Sequence, residues 1–554
     1  MLMAAAIRLP PLCSAVGPPP SSAAAASLAQ KSSSNMPERV PAVDGPSGRQ
    51  SAPHFVLVPF FAAGHMIPMV DIARLLAERG VMVSLVTTPV NAARTRTAIE
   101  RAQASGLPVR FVELPFPCAE LGLPEGCESA DLVPSPDQII RFFNGLSLLR
   151  APLEAYLRRQ RRVSCIISDM CHPWTRSLAE ELGVPRLAFH GTCCFALLCY
   201  RNLQQHIEVC DSLDDEMKPF VVPGLPHRIE ITREQAPAPF QAAGLEKFRS
   251  EFLEAEETSH GVVFNTFCEL EPLYLDNYQK VSGKKVWAIG PVCLYNNLDV
   301  GDRAARGNKP AVDDKFCLSW LDGRKRGSVV FVSFGSLSWS TPSQIIEIGM
   351  GLEASGHPFI LVIKAAEQSP EVEEWLALQG GFEERTKERS LVIRGWAPQM
   401  AILSHPAVGG FVSHCGWNST AEAISAGLPM LTWPFFGEQF LNERLVVDVL
   451  GVGVCIGVKR RAKWGVTAGE EVRELVKREV VEAAVRELME GGVEGQQRRE
   501  RAALLGQKAR KAMEARGSSD ENLARLIRDV SLMAPHASPC DPFDKSSEEG
   551  GLVN

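Results

Sequence analysis

The sequence predicts an α/β protein built from two doubly wound, mostly parallel sheets. Three observations point there. Short continuous apolar runs recur along the chain, as expected of strands covered on both faces. Stretches with apolar residues at helical spacing separate them, which is the rhythm of strand–crossover–strand units. One polar interval, Asn296–Arg326, interrupts the series, and a second series starts after it. At 554 residues the chain is long enough for two domains with their own cores.

The first unit is the plainest. HFVLVPF (His54–Phe60) is a continuous apolar strand. After the turn FAAGH, Ile67–Arg79 has helical spacing and stops at Gly80. Val81–Thr88 is the next strand. Val109–Leu114, Cys165–Ser168, Arg186–Phe189 and the start of GVVFNTFCELE (Gly261–Glu271) continue the sheet, and Val286–Val292 closes it. Asn91–Arg150 and Gly191–Phe252 read as helices and loops, and Pro223–Pro237 as an irregular proline-rich loop. These predict a first domain over residues 53–295 and a linker over 296–326 that contains the short segment FCLSWLDG.

The second domain, 327–516, opens with the strand Ser328–Phe334, the turn Gly335–Ser336 and a helix at Pro342–Ala354. Phe359–Lys364, Ser390–Gly395, Gly410–Ser413 and Pro429–Pro434 supply further strands. Lys459–Trp464 reads as a basic loop, and Val472–Met489 and Gln496–Arg516 as charged amphipathic helices. Ser518 and Glu521 have the spacing of a capping box for a last helix over 517–533, and residues 534–554 are a polar tail.

Residues 1–52 stand apart, rich in Ala, Ser and Pro, with Glu38 as the first acid. Three readings stay open for them: a disordered extension, a plastid transit peptide, or an upstream start with Met36 as the working initiator. A net charge of −7 offers no general attraction to nucleic acid or an anionic membrane. No apolar run is long enough to cross a bilayer. The 15 cysteines are scattered, without paired spacing for zinc, and read as buried thiols of a reducing compartment.

Open α/β sheets place ligands at the carboxyl ends of their strands. His65 follows the first strand and Asp169 follows CIIS. Such a pair makes a sound general base, because the carboxylate fixes the imidazole tautomer and steadies the imidazolium. His172 and His190 are rivals on the same grounds. Phe142, Phe143, Phe195 and Tyr200 read either as core or as the lining of an apolar pocket.

The most informative stretch is WAPQMAILSHPAVGGFVSHCGWNSTAEAISAGLPMLTWPFFGEQ (Trp396–Gln439). A strand ends at His414, the turn HCGWNST follows, and Asn418 and Ser419 are good N-cap residues for a helix that stops at Gly427. A helix start of this kind presents free N–H groups and a positive dipole end to an anion such as phosphate. Glu422, one turn in, suits a ribose diol. Trp396 suits a flat base or a core position, and Glu438–Gln439 suit sugar hydroxyls or a solvated loop. Gly335–Ser336 is either an ordinary turn or a further phosphate contact. No G-x-G-x-x-G is present, so a nicotinamide site is not indicated.

As an ordered set, Trp396, Gln399, His414, Gly416, Trp417, Asn418, Ser419, Glu422, Glu438 and Gln439 resemble the signature box of plant family-1 UDP-glycosyltransferases. GHMIPMVDIARLLAERG and ISDMCHPWT resemble that family's catalytic regions. The resemblance spans roughly residues 53–533 and implies the GT-B arrangement, with two Rossmann-like domains facing a cleft. It implies that His65 is the base and Asp169 its partner. Trp396 would stack on uracil with Gln399 beside it, and Ala397 would belong to the same donor site. Glu422 would hold the ribose. His414, Asn418, Ser419 and Ser336 would hold the diphosphate, and Trp417, Glu438 and Gln439 the sugar. Gln439 leans towards glucose, and Trp417 in place of Arg argues against glucuronate.

The implied reaction is inverting, metal-independent transfer of glucose from UDP-glucose, a co-substrate rather than a cofactor. The acceptor would be a hydroxyl of a small lipophilic metabolite: a flavonoid or other phenolic, a terpenoid or steroid, or a cytokinin. The expected protein is a cytoplasmic monomer without nucleic-acid partners or an integral membrane segment. The alternative left open is a catalytically inactive UDP-sugar or hormone-binding protein of the same fold.

Overall fold

The structure is a computed structural model that describes residues 52–160, 163–211, 214–237, 246–295, 306–377, 381–462 and 474–533. The readings of residues 1–51, of the first ten linker residues (296–305), of most of the 459–473 region and of the 534–554 tail lie outside the described residues.

In chain order the strands are β1 (His54–Val58), β2 (Met82–Thr87), β3 (Val109–Glu113), β4 (Cys165–Asp169), β5 (Arg186–His190), β6 (Pro219–Val221), β7 (Glu230–Thr232), β8 (Gly261–Phe264) and β9 (Lys285–Ala288). After the connection come β10 (Val329–Ser333), β11 (Phe359–Ile363), β12 (Ser390–Arg394), β13 (Val408–Ser413), β14 (Met430–Thr432) and β15 (Gly453–Cys455). The first sheet is parallel and seven-stranded, in the order β3-β2-β1-β4-β5-β8-β9. The second is parallel and six-stranded, in the order β12-β11-β10-β13-β14-β15. Strand order reverses between β1 and β4 in one sheet and between β10 and β13 in the other, so each sheet has its own ligand crevice at that switch point.

The apolar runs form strands because helices cover both sheet faces, and β1, β4 and β10 are buried along their whole length. Trp287 and Phe55 anchor one face of the first sheet, and Phe60, Phe142 and Phe143 lie in the core on the other. Phe195 and Tyr200 are buried in a cluster that continues under the second sheet. All four aromatic candidates for an acceptor pocket are therefore core residues. The described cysteines form no disulfide, and burial pushes thiols such as Cys293 up, to about 12. No described helix is long and apolar enough to cross a membrane.

Four local expectations change. Pro223–Pro237 is not wholly irregular. Ile231 pairs with Phe220 across the antiparallel β6–β7 hairpin, and burying Ile229 and Ile231 outweighs the prolines around them. β15 was not foreseen, since three residues beginning with glycine carry no strand period. The linker contains a helix, Asp314–Asp322, started by Asp313 accepting the Lys315 N–H at 2.9 Å and held by buried Cys317 and Leu321. Ser518 forms no capping box. Its hydroxyl donates to Glu269 at 2.8 Å, and Asp520 accepts the Arg516 N–H at 2.9 Å instead. The helix thus started, Ser518–Met533, lies on β9 of the first sheet. There Asn522 donates to the Ala288 carbonyl at 2.9 Å and Arg525 to that of Val286 at 2.7 Å.

Candidate active site

The two crevices open into one cavity of about 450 Å³, within the range of small-molecule sites. On one side stands His65, in the first turn of the helix Ala63–Glu78 that follows β1. Asp169 is the last residue of β4, and the β1–β4 pairing (Val58 opposite Ser168) brings the two together. His65 Nδ1 lies 2.7 Å from Asp169 Oδ2, while Asp169 Oδ1 accepts the Cys171 N–H at 3.0 Å. With Nδ1–H donated to the carboxylate, Nε2 is the free basic atom.

Asp169 is fully buried, whereas the His65 side chain is 23% exposed. Burial pushes the imidazole down, but the Asp169 charge and hydrogen bond, with Glu438 adding, outweigh it and hold its pKa above 6.5. Burial pushes Asp169 up, and the opposing pull of His65 and the Cys171 N–H leaves it lowered and ionised. The edge of Phe60 meets the His65 ring at 5.2 Å, and Gly191 closes the other side. A Cβ at residue 191 would stand 2.4 Å from His65 Cε1. The two rival histidines are fully buried. His172 Nε2 bonds the Pro59 carbonyl at 2.9 Å, and His190 bonds Glu256 at 3.0 Å.

On the other side, β13 ends at Ser413 and the chain turns through Cys415, a non-glycine residue at φ 64°, into the helix Trp417–Ala426. The N-cap is Gly416, not Asn418 or Ser419, and no side chain caps the helix. A Cβ at 416 would lie 2.4 Å from His414 Nε2, so a side chain there would displace the His414 ring. Asn418 and Ser419 sit inside the first turn. Gln399 ties this turn together, donating to Ser419 Oγ at 3.0 Å and to Glu422 Oε2 at 2.7 Å. Asn418 Nδ2 reaches Glu422 Oε1 at 3.4 Å, and Asn418 Oδ1 and His414 Nδ1 are buried without a hydrogen-bond partner among the described residues.

Burial, with the nearby Lys364 cation adding, lowers His414 to about 3, so its imidazole is neutral. Ser336, after β10, and Trp396 and Ala397, after β12, line the same cavity. So do Glu438 and Gln439. The Gln439 carbonyl oxygen accepts the N–H groups of Phe435 at 2.8 Å and Phe436 at 3.2 Å, leaving its NH₂ as the only group to offer a ligand. Burial raises Glu438. Trp417 also lines the cavity, but its indole N–H donates to the Asn265 carbonyl at 2.8 Å. Its ring thereby locks the second sheet's helix against the first domain.

The structure thus gathers His65 and every residue of the implied donor site around one cleft, with Asp169 directly behind His65, and leaves His172, His190 and the four aromatic candidates outside it. It also adds three that sequence reasoning missed: Gly191, Lys364 and Arg306. Lys364 follows β11 at its carboxyl end, so the rule that located His65 would have located it too. Chemically, the arrangement sets a carboxylate-backed imidazole opposite a helix start that no side chain caps.

Comparison with known proteins agrees with this geometry. Residues 284–481 match the family described as UDP-glucoronosyl and UDP-glucosyl transferase, and residues 54–293 match the glycosyltransferase N-terminal domain. UDP-glycosyltransferase 73C6 of Arabidopsis thaliana is 48% identical over 87% of this chain and 97% of its own length. UDP-glycosyltransferase 73C11 of Barbarea vulgaris is 46% identical over the same shares. Among solved structures, Glycyrrhiza uralensis UGT73P12, complexed with glycyrrhetinic acid 3-O-monoglucuronide, superposes with TM-score 0.79 at 38% identity, covering 87% of this chain and 96% of its own. Medicago truncatula UGT71G1, complexed with UDP-glucose, gives TM-score 0.69 at 25% identity, covering 87% and 98%. Both sheets and the cleft between them have the GT-B architecture of these neighbours. With nearly half its residues shared along almost the whole length of the Arabidopsis protein, the chain belongs to the plant family-1 UDP-glycosyltransferases.

Proposed function

We infer that the protein transfers glucose from UDP-glucose, with inversion, to a hydroxyl of a small lipophilic plant metabolite, giving a β-O-glucoside. The observation that carries this reading is the 2.7 Å bond between His65 Nδ1 and a fully buried Asp169, which leaves Nε2 facing the cleft as a base. In the reaction, His65 Nε2 takes the proton of the acceptor hydroxyl. The oxygen attacks the anomeric carbon from the face opposite the diphosphate, the bond from that carbon to the phosphate oxygen breaks, and UDP leaves. Asp169 steadies the imidazolium.

The start of the helix Trp417–Ala426, the His414 imidazole and the Ser336 turn receive the growing diphosphate charge. Trp396 and Ala397 border the base, Glu422 the ribose, and Glu438 and the Gln439 NH₂ the glucose hydroxyls. The mechanism assigns the diphosphate charge to the helix start, His414 and the Ser336 turn and uses no metal ion.

The Medicago relative's complex with UDP-glucose supports the donor. Phytolacca americana UGT2, complexed with UDP-2fluoro-glucose and pterostilbene, and the Glycyrrhiza complex support a small organic acceptor. The test is an acceptor screen with labelled UDP-glucose over flavonoids and other phenolics, terpenoids, steroids and cytokinins. Product with β linkage is expected. UDP binding without transfer to any of them would favour a binding protein of the same fold.

A further inference from the structure

The connection between the two sheets enters the nucleotide side of the cleft. The Ala311 N–H donates to the Trp396 carbonyl at 2.8 Å, so the connection runs alongside the residue proposed to meet the base. Gly307 (φ 94°) is wedged between the domains. A Cβ there would lie 2.6 Å from Trp396 Cζ2 and 3.0 Å from Ile67 Cδ1. This turn, in the region of φ that favours glycine, sets the preceding side chain deep in the cavity.

That side chain is Arg306, 6% exposed. Its Nε donates to Asp71 Oδ2 at 2.8 Å, on the helix after β1, and its Nη1 donates to Glu422. Its Nη2 is buried with no hydrogen-bond partner among the described residues. Burial alone would lower the guanidinium pKa, but Asp71 and Glu422 outweigh it and Arg306 stays charged. Glu422 is held at both oxygens in turn, by Arg306 and Asn418 at Oε1 and by Gln399 at Oε2, which keeps a lone pair to accept a further donor. The carboxylate proposed to face the ribose is therefore oriented by a cation from the interdomain connection. That cation keeps one donor in reserve beside it.

We propose that Arg306 is a donor-binding residue: it orients Glu422 for the ribose hydroxyls and presents Nη2 to an oxygen of the nucleoside. The proposal rests on the reading that UDP-sugar occupies this crevice. The contact belongs to the nucleoside rather than the diphosphate because Arg306 is anchored on Glu422 and beside Trp396. His414 and Ser336 lie on the phosphate side. A guanidinium is suited to the task, since its planar fork can bond Asp71, Glu422 and a ligand at once, which an ammonium on a flexible stem does less well.

The experiment uses the full chain, with uridine and UDP binding measured by titration calorimetry and steady-state kinetics run beside it. Arg306→Gln is expected to weaken both uridine and UDP by about tenfold or more, the effect of losing a charge-assisted contact. The KM for UDP-glucose should rise in step, and the acceptor KM should stay within about twofold. Arg306→Lys should recover part of the loss. Wild-type or tighter uridine binding by Arg306→Gln overturns the proposal, making Arg306 an ion-pair strap that the nucleotide displaces. Loss with UDP but not with uridine also overturns it, by moving the contact to the phosphates. If Arg306→Gln does not fold, Asp71→Asn decides: it releases the guanidinium from the helix and leaves Glu422 intact. It should weaken uridine several-fold, and unchanged binding rejects the role. A wild-type chain that binds no UDP would instead fail the wider reading of the crevice.

Discussion

His65 and His414 face one cleft from opposite sheets, and their surroundings drive their proton affinities apart. Both rings are walled by glycine, at Gly191 and at Gly416 and Gly335 respectively. His65 keeps an opening to the cleft and has Asp169 at its back, which lifts its pKa. His414, also only partly covered, stands near the Lys364 cation with no carboxylate bonded to it among the described residues, and desolvation with that cation drops it to about 3. The same side chain is tuned as a base in one domain and as a neutral hydrogen-bonding group in the other. The difference lies in what stands behind each ring, and that is where it can be attacked experimentally.

The largest effect is expected at the base. His65→Ala should lower kcat by about 10²–10⁴-fold while UDP-glucose still binds, as measured by initial rates and calorimetry. Full turnover in this variant would remove His65 from the chemistry. Next comes Gly191→Ala, whose methyl group would collide with the imidazole at 2.4 Å. Displacing the ring by a fraction of an ångström should cost up to about 10²-fold in kcat, with donor binding unchanged.

His414→Ala should act on the donor alone, weakening UDP by about tenfold and leaving the acceptor KM in place. If it lowers kcat as much as His65→Ala does, the contrast between the rings collapses. The pH profile sharpens the same contrast. His65 takes a proton only when neutral, and its pKa is raised, so activity should fall on the acid side with a limb above pH 6.5. His414, already neutral throughout that range, adds no limb, and rates flat down to pH 6 would refute the assignment. The smallest expected effect is none: EDTA should leave the initial rate unchanged. Loss of activity restored by a divalent cation would show that the helix start and the basic side chains do not suffice for the leaving diphosphate.

Much of this is legible in the sequence. Strands buried on both faces write themselves as unbroken apolar runs, so β1, β4 and β10 fall within a residue or two of their expected bounds. Chemistry at strand ends was legible for the same reason, as at His65, Asp169 and His414. What escaped was whatever depends on depth. Sequence does not record that His172 and His190 are sealed under side chains while His65 is open, so on the residue pattern alone they stay rivals, and only the family resemblance favours His65. Nor does it show that Phe142 and Phe195 belong to the core. The helix after β13 starts at Trp417 with Gly416 as its N-cap, and the close approach of the His414 ring to that glycine is a contact that N-cap preferences do not contain. Arg306 gave no signal at all. One arginine among several in a polar connection looks solvated until the fold closes Asp71 and Glu422 around it.

The helix Ser518–Met533 supplies side-chain donors to the backbone of β9, a strand made more than two hundred residues earlier. During synthesis that strand's carbonyls and the Trp287 indole lack these partners until residues 518–533 have been made. A chain stopped short of residue 518 would carry every group of the cleft and still leave its first half unsealed.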